Sequence, residues 1–279
     1  MYAHDVPPWY SGGKYGIFIH WGVYSVPGWG NTGKRENYAE WYWWSMNKGP
    51  NTTDQTWEYN LATYGPDHNY DDFIPDFTAS AFDPKEWVDL FADAGANYFV
   101  LVSKHHDGYA LFDLPAHVSQ RHSMALPPHR NLLGELFDAA ERYQPHLHHA
   151  TYFSLPEWFN PAYAPYGFGQ WPGGNATNPY TNATLPYTGF VPVADYVTDV
   201  QLPEMLALSE AGTEIMWCDI GGPNRTTECS PTTAAARPAT STRPSTRATR
   251  TCRCASGRAA WAWTPTATAT TAPRPTTST

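Results

Sequence analysis

Asp219 closes the run EIMWCD, with Trp217 two residues before it and Gly221-Gly222 just after. A carboxylate at a strand end, beside an indole and ahead of a tight glycine exit, suits a nucleophile set against an aromatic wall. Three more apolar runs end in reactive side chains. His20 follows YGIFI, the run Lys104-His105-His106-Asp107-Gly108 follows NYFVLVS, and Tyr152 and Ser154 end a third strand, with Glu157-Trp158 just beyond. The imidazoles and the phenol supply donors and acceptors for hydroxyl groups. A carboxylate that attacks a sugar carbon, with a second about 5 Å away to protonate the leaving oxygen, performs retaining glycoside hydrolysis. The adjacent His105-His106 pair also invites a metal reading. Neighbours on a strand point to opposite faces, and no third ligand stands at a metal spacing, so no metal is expected.

These residues need a scaffold that brings several strand ends to one place. Tyr15 to His20 reads as a short buried strand, and Asn97 to Ser103 as a near-continuous apolar strand of the kind found in parallel sheets. Between them, PKEWVDLFADA (Pro84 to Ala94) carries Trp87, Val88, Leu90 and Phe91 at helical spacing, opened by Asp83-Pro84 and closed by Gly95. A second helix is predicted over Asn131 to Tyr143, a strand near Leu147 to Phe153, a third helix over Asp195 to Ala211 stopped by Gly212, and a strand over Glu214 to Asp219. Strands alternating with helices imply βα units and a parallel sheet. Reactive residues at the C-terminal ends of successive strands are the distribution of a (β/α)8 barrel.

The 279 residues allow one large domain and are too few for a full barrel plus a second module. Aromatic residues make up 15%, with 13 Trp and 18 Tyr, many beside Gly, Pro and Asn, which suits stacking on the apolar faces of sugars. Net charge is −9, and every acidic residue lies at or before Glu228, so the front part is strongly acidic and argues against nucleic acid as a partner. No apolar run approaches the roughly 18 residues of a membrane span. The N-terminus has no apolar core of a signal peptide. Four N-x-S/T sequons, at Asn51, Asn175, Asn182 and Asn224, point to a secreted or lysosomal/vacuolar setting. The four cysteines give no disulfide framework or zinc spacing.

From Cys229 onward the composition changes to Thr, Ala, Arg, Pro and Ser, without Asp, Glu, Lys, Leu, Ile, Val, Phe, Tyr or His. Such a segment has almost nothing to bury and reads as a disordered low-complexity tail. It is either a mucin-like stalk or the product of a frameshift or a retained intron. The domain boundary is therefore set at 1–228 against 229–279.

The motifs KYGIFIHWGVYSVP (Lys14 to Pro27), EWY (Glu40 to Tyr42), KHHDGY (Lys104 to Tyr109), YFSLPEW (Tyr152 to Trp158) and MWCDIGG (Met216 to Gly222), in this order, resemble the α-L-fucosidases of glycoside hydrolase family 29. The likeness spans about residues 9 to 225. It implies a (β/α)8-like barrel, here cut to about its first four βα units, retention of configuration, no cofactor, and fucosylated oligosaccharide or glycoprotein glycan as partner. Matched by motif, Asp219 stands where the family has its nucleophile. His20, Glu40, Trp41, His105, His106, Tyr152 and Trp217 stand where it lines the fucose pocket. Polar side chains there hold the sugar hydroxyls, and aromatic rings pack against the C5 methyl group.

Two departures matter. Tyr109 stands where the family usually has Phe, and the family's acid/base Glu and pocket Arg, which follow the nucleophile, have no counterpart here. Glu157 and Glu228 are the nearest carboxylates and match neither motif, so the acid/base is unassigned. The chain is accordingly expected to be an incomplete and inactive α-L-fucosidase, or else a catalytically dead fucose-binding protein.

Overall fold

A computed structural model describes residues 7–31 and 38–220, and the backbone of 261–262. Gly221-Gly222, the Asn224 sequon, Glu228 and, apart from those two residues, the segment from Cys229 lie outside the described residues.

The chain opens with a short helix, α1 (Pro8–Gly12), and a strand, β1 (Gly16–Ile19). The long connection that follows holds α2 (Tyr42–Met46), α3 (Thr56–Tyr64) and α4 (Pro84–Asp93). Then come β2 (Tyr98–Lys104), α5 (Leu132–Tyr143), β3 (His148–Ser154), α6 (Leu202–Glu210), β4 (Ile215–Asp219) and the two-residue β5 (Trp261–Ala262). Strands β1 to β4 are parallel and pair in sequence order, and β5 runs antiparallel along β4.

The caps explain the helix starts. The Asp83 carboxylate accepts from the backbone N–H groups of Lys85 (2.8 Å) and Glu86 (3.2 Å), with Pro84 at the first helical position. Asn131 caps α5 in the same way, accepting from Gly134 N–H at 3.0 Å. The expected third helix runs without a break from Tyr196 to Glu210, but not as a regular α-helix: Pro203 has no N–H to give, and the turn before it, Val197–Gln201, widens to a π-turn that leads straight into α6. Leu90 corrects the apolar stripe read on α4, for it is 64% exposed. At about 100° per residue it lies about 160° around the helix from Val88, on the side away from the sheet.

Alternation along the strands sorts the two faces. Phe99, Leu101, Phe153, Met216 and Cys218 face the helices, sharing one buried cluster with Val88 and Phe91 of α4, Leu136 and Phe137 of α5, and Met205 and Leu208 of α6. The opposite face carries Val100, Val102, Ala150, Tyr152 and Ile215, with Trp9, Tyr10 and Tyr98 packed against them. Trp9 stacks on His148 at 3.9 Å, so α1 covers the end of the sheet where β2 and β3 begin. The C-terminal strand ends are left for chemistry.

Candidate active site

A β-bulge decides which way the KHHDG segment faces. Val102 pairs with Tyr152, but Lys104, not Ser103, pairs with Phe153. The extra residue reverses the alternation. Ser103 Oγ donates to the Tyr152 carbonyl at 2.6 Å, and Lys104 turns to the helix side, its Nζ 4.4 Å from the Phe153 ring centre. His105 is thereby delivered to the other face, where its ring stacks parallel to Tyr152 at 5.8 Å and lies 6.2 Å from His20. The chain leaves β2 at Lys104, so alternation lapses and His106 converges on the same region, its ring 4.7 Å from His105.

Asp219 ends β4 beside them. Its Oδ2 accepts a 2.6 Å hydrogen bond from the Tyr152 hydroxyl, which also lies 2.9 Å from Ser154 Oγ. His106 Nε2 stands 3.9 Å from the same Asp219 oxygen, too far for a hydrogen bond. The Asp219 side chain is 34% exposed, whereas His106 and Tyr152 are buried. His106 Nδ1 lies 2.8 Å from the Pro156 carbonyl. A carbonyl only accepts, so Nδ1 carries the proton and Nε2 presents its lone pair toward Asp219. Burial pushes the His106 pKa down to about 4, against the opposing pull of the Pro156 carbonyl and Asp219. His105 is held well below the ordinary imidazole value by burial, then by His106 and His20. Burial and the neighbouring Asp219 charge raise the Tyr152 phenol well above its usual value, so it stays a donor.

Aromatic rings frame the carboxylate. Phe18 meets Trp217 edge-on at 5.5 Å and stacks on His20 at 5.2 Å, and Trp217 is 45% exposed. Trp41 closes another side, 5.9 Å from His106 and 5.3 Å from Trp158. His20 Nε2 and Glu40 Oε1 are 3.9 Å apart, so Glu40 joins the group through His20. All eight residues singled out in the sequence therefore fall into one connected cluster. Phe18, Trp158 and Trp171 belong to it as well, Trp171 lying 5.4 Å from His106. Phe18 shares a strand face with His20, a signal available in the sequence, while Trp171 sits in an aperiodic loop that offers none. Among the described residues, no three His, Cys, Asp or Glu side chains come together as a metal site. A groove of about 550 Å³ lined by Trp21, Phe77 and Trp87 includes none of the eight.

Glu157 is not in this chemistry. Its Oε1 takes a 2.7 Å bond from Lys104 Nζ, and the pair is buried with Glu204, 2.5 Å from the same ammonium. Burial would raise the Glu157 pKa, but Lys104 and the hydrogen bonds bring it below the usual carboxylate range. For Glu204, burial prevails and pushes the pKa up to about 7. Asp107 and Gly108 are fixed from the other side. Tyr70 donates to Asp107 Oδ2 at 2.7 Å, and Arg121 Nε donates to the Asp107 carbonyl at 2.9 Å. Arg121 itself lies against the rings of Trp43 (5.1 Å) and Tyr187 (4.4 Å) and forks onto Asp71 at 2.9 and 2.7 Å. Gly108 has φ +74°, and a Cβ there would meet the Tyr187 hydroxyl at 1.8 Å and Glu157 Oε2 at 2.5 Å.

The sequence profile of the alpha-L-fucosidase family matches residues 1–264. The chain is 42% identical to the tissue alpha-L-fucosidase of Rattus norvegicus over 162 residues, covering 58% of this chain and 32% of that protein. It is 36% identical to the alpha-L-fucosidase of Branchiostoma floridae over 216 residues, covering 77% of this chain and 41% of that one. The crystal structure of Thermotoga maritima alpha-fucosidase in complex with fucose superposes with a TM-score of 0.60 at 30% identity, over 80% of this chain and 49% of that chain. The chain thus spans about a third to a half of the length of these relatives. With its α/β fold, its parallel sheet of four strands and its motifs in matching order, it belongs to the alpha-L-fucosidase family.

Proposed function

We propose that this chain carries the sugar pocket and nucleophile of a retaining exo-glycosidase that removes terminal α-L-fucosyl residues from oligosaccharides and glycoprotein glycans. The observation that carries this reading is the environment of Asp219: a part-exposed carboxylate held by Tyr152 at 2.6 Å and faced by a neutral His106. Asp219 attacks the anomeric carbon as the glycosidic bond breaks, the leaving oxygen taking its proton from a general acid that is not among these residues; water, giving its proton back to that group, then hydrolyses the fucosyl-Asp219 ester with net retention. His106 Nε2 accepts from a sugar hydroxyl, and His20, His105 and Glu40 supply further polar partners. Trp41 and Trp217 give apolar walls for the sugar's C–H face and C5 methyl group. No cofactor takes part in this scheme.

The proposed scaffold is the first four βα units of a (β/α)8-like barrel over 1–228, with 229–279 as a separate low-complexity tail. Two features support the barrel over a doubly wound sheet: the parallel strands follow one another without reversal, and the helices between them, α4, α5 and α6, share one face. A secreted or lysosomal/vacuolar setting is consistent with Asn51, Asn175 and Asn182 being exposed and with relatives that include tissue and plasma alpha-L-fucosidases.

The test is turnover of an aryl α-L-fucoside by the protein carrying this chain. Replacing Asp219 by Ala is expected to lower kcat by about three orders of magnitude or more, with azide restoring part of it. Near-normal turnover would refute the assignment. One observation favours a second reading, a fucose-binding protein without hydrolysis: Lys104 withholds Glu157 from proton transfer. Heat of L-fucose binding without turnover would select it.

A further inference from the structure

Glu157 sits at the centre of a clasp on His106. The residue before it, Pro156, takes the His106 side chain on its carbonyl at 2.8 Å, and the residue after it, Trp158, donates its backbone N–H to the His106 carbonyl at 2.9 Å. The three-residue segment therefore grips the imidazole and the backbone of His106 together. What fixes the segment is the Glu157 carboxylate, whose acceptor capacity is fully used. Oε1 is met by Lys104 Nζ at 2.7 Å and the Tyr196 hydroxyl at 3.0 Å, and Oε2 by the Tyr187 hydroxyl at 2.6 Å and Asn160 Nδ2 at 2.8 Å. Lys104 immediately precedes His105-His106, so the same ion pair ties the strand end to the clasp. Buried carboxylates this completely satisfied are rigid, since any displacement strands several polar groups at once.

We infer that Glu157 is a positioning residue: anchored by Lys104, Tyr187, Tyr196 and Asn160, it holds the Pro156 carbonyl against His106 and so selects the tautomer that presents the Nε2 lone pair beside Asp219. This rests on the reading of His106 as an acceptor for a sugar hydroxyl. It goes further by naming what sets that acceptor. Without the clasp, the imidazole is free to put its proton on Nε2, where it would donate to Asp219 and both occupy the carboxylate and turn away the hydroxyl. A purely stabilising role for the ion pair would leave the tautomer unchanged.

The experiment reads the His106 imidazole by 15N NMR, with the signals assigned by their loss in His106→Gln. The native protein is expected to show one neutral form protonated at Nδ1. In Glu157→Gln a second set of signals, protonated at Nε2, is expected, and L-fucose affinity should fall by about tenfold or more, as misplacement of a site group does. Glu204→Gln contacts Lys104 without touching the clasp and should keep the native signals. If Glu157→Gln does not fold, the Tyr187→Phe/Asn160→Ala double variant decides, because it strips both donors from Oε2 and leaves the ion pair whole. A single Nδ1-protonated form in a folded Glu157 variant, or in that double variant, overturns the inference. The tautomer is read without sugar or turnover. A native protein that shows the Nδ1 form yet ignores fucose would therefore sink the fucosidase reading and not this one.

Discussion

His106 should carry a measurable part of the chain's sensitivity to acid. Its imidazole is buried and neutral, and burial lowers its pKa to about 4. In the unfolded chain the same ring titrates near 6.5, so between these two values the unfolded state binds the extra proton and the folded state does not. The His106 contribution is therefore fully present above about pH 6.5 and is lost as the pH falls to about 4. The gap is worth about 3 kcal/mol at roughly 1.4 kcal/mol per pH unit. His105 pulls in the same direction. Asp107 and Glu204 pull the other way, because burial raises their pKa values to about 6 and about 7. Their protonated forms favour the fold at low pH, and that benefit disappears as the pH rises through those values. The whole curve is thus a composite, and only a difference isolates His106. Urea denaturation of native protein and His106→Gln at pH 7 and pH 4 provides it. The variant is expected to lose about 3 kcal/mol less than the native protein between the two pH values. Parallel losses would refute the argument that burial holds this ring neutral.

Three further predictions follow from the same geometry. Tyr152→Phe removes the only hydrogen bond to the Asp219 side chain among the described residues, a charge-assisted one worth about 1.5–3 kcal/mol; urea denaturation should show a loss of that order, and an unchanged midpoint would count against the contact. Gly108→Ala sets a Cβ against Tyr187 and Glu157 at a positive φ and should lower stability by about 3 kcal/mol or more in a thermal melt, whereas a native-like Tm would show that the clasp yields. Asp71→Ala leaves the buried Arg121 guanidinium without its carboxylate and should cost about 3–5 kcal/mol in urea denaturation.

How much of this was legible in the sequence depends on the kind of signal. The four parallel strands and the helices α4 and α5 follow from apolar period and capping residues, and their ends fall within a residue or so of the expectation. Asp83-Pro84 and Asn131 mark starts because a helix must satisfy its first N–H groups. The widened turn ahead of α6 was hidden, since Pro203 in a periodic run does not show how the helix accommodates its missing N–H. α1 to α3 were not legible either: they are short, aromatic and weakly periodic, and long-range stacking, such as Trp43 on Tyr70 at 4.8 Å, accompanies them. For the site, residue types at strand ends identified the cluster, but not the bulge at Ser103 that points Lys104 and His105 to opposite faces. Nor could spacing show that Glu157, the nearest described candidate for an acid, is committed to Lys104. That pairing joins residues 53 apart in the chain.

The nucleophile is tested most directly by covalent trapping. A 2-deoxy-2-fluoro-L-fucosyl fluoride has a leaving group that departs without a proton donor, so it reports on the attacking carboxylate even where no acid/base residue is present. Peptide mapping by mass spectrometry should find the fluorofucosyl ester on the peptide ending β4, at Asp219, and should lose it in Asp219→Asn. A label on Glu40 or any other carboxylate, or no label on a protein that binds fucose, would contradict the account.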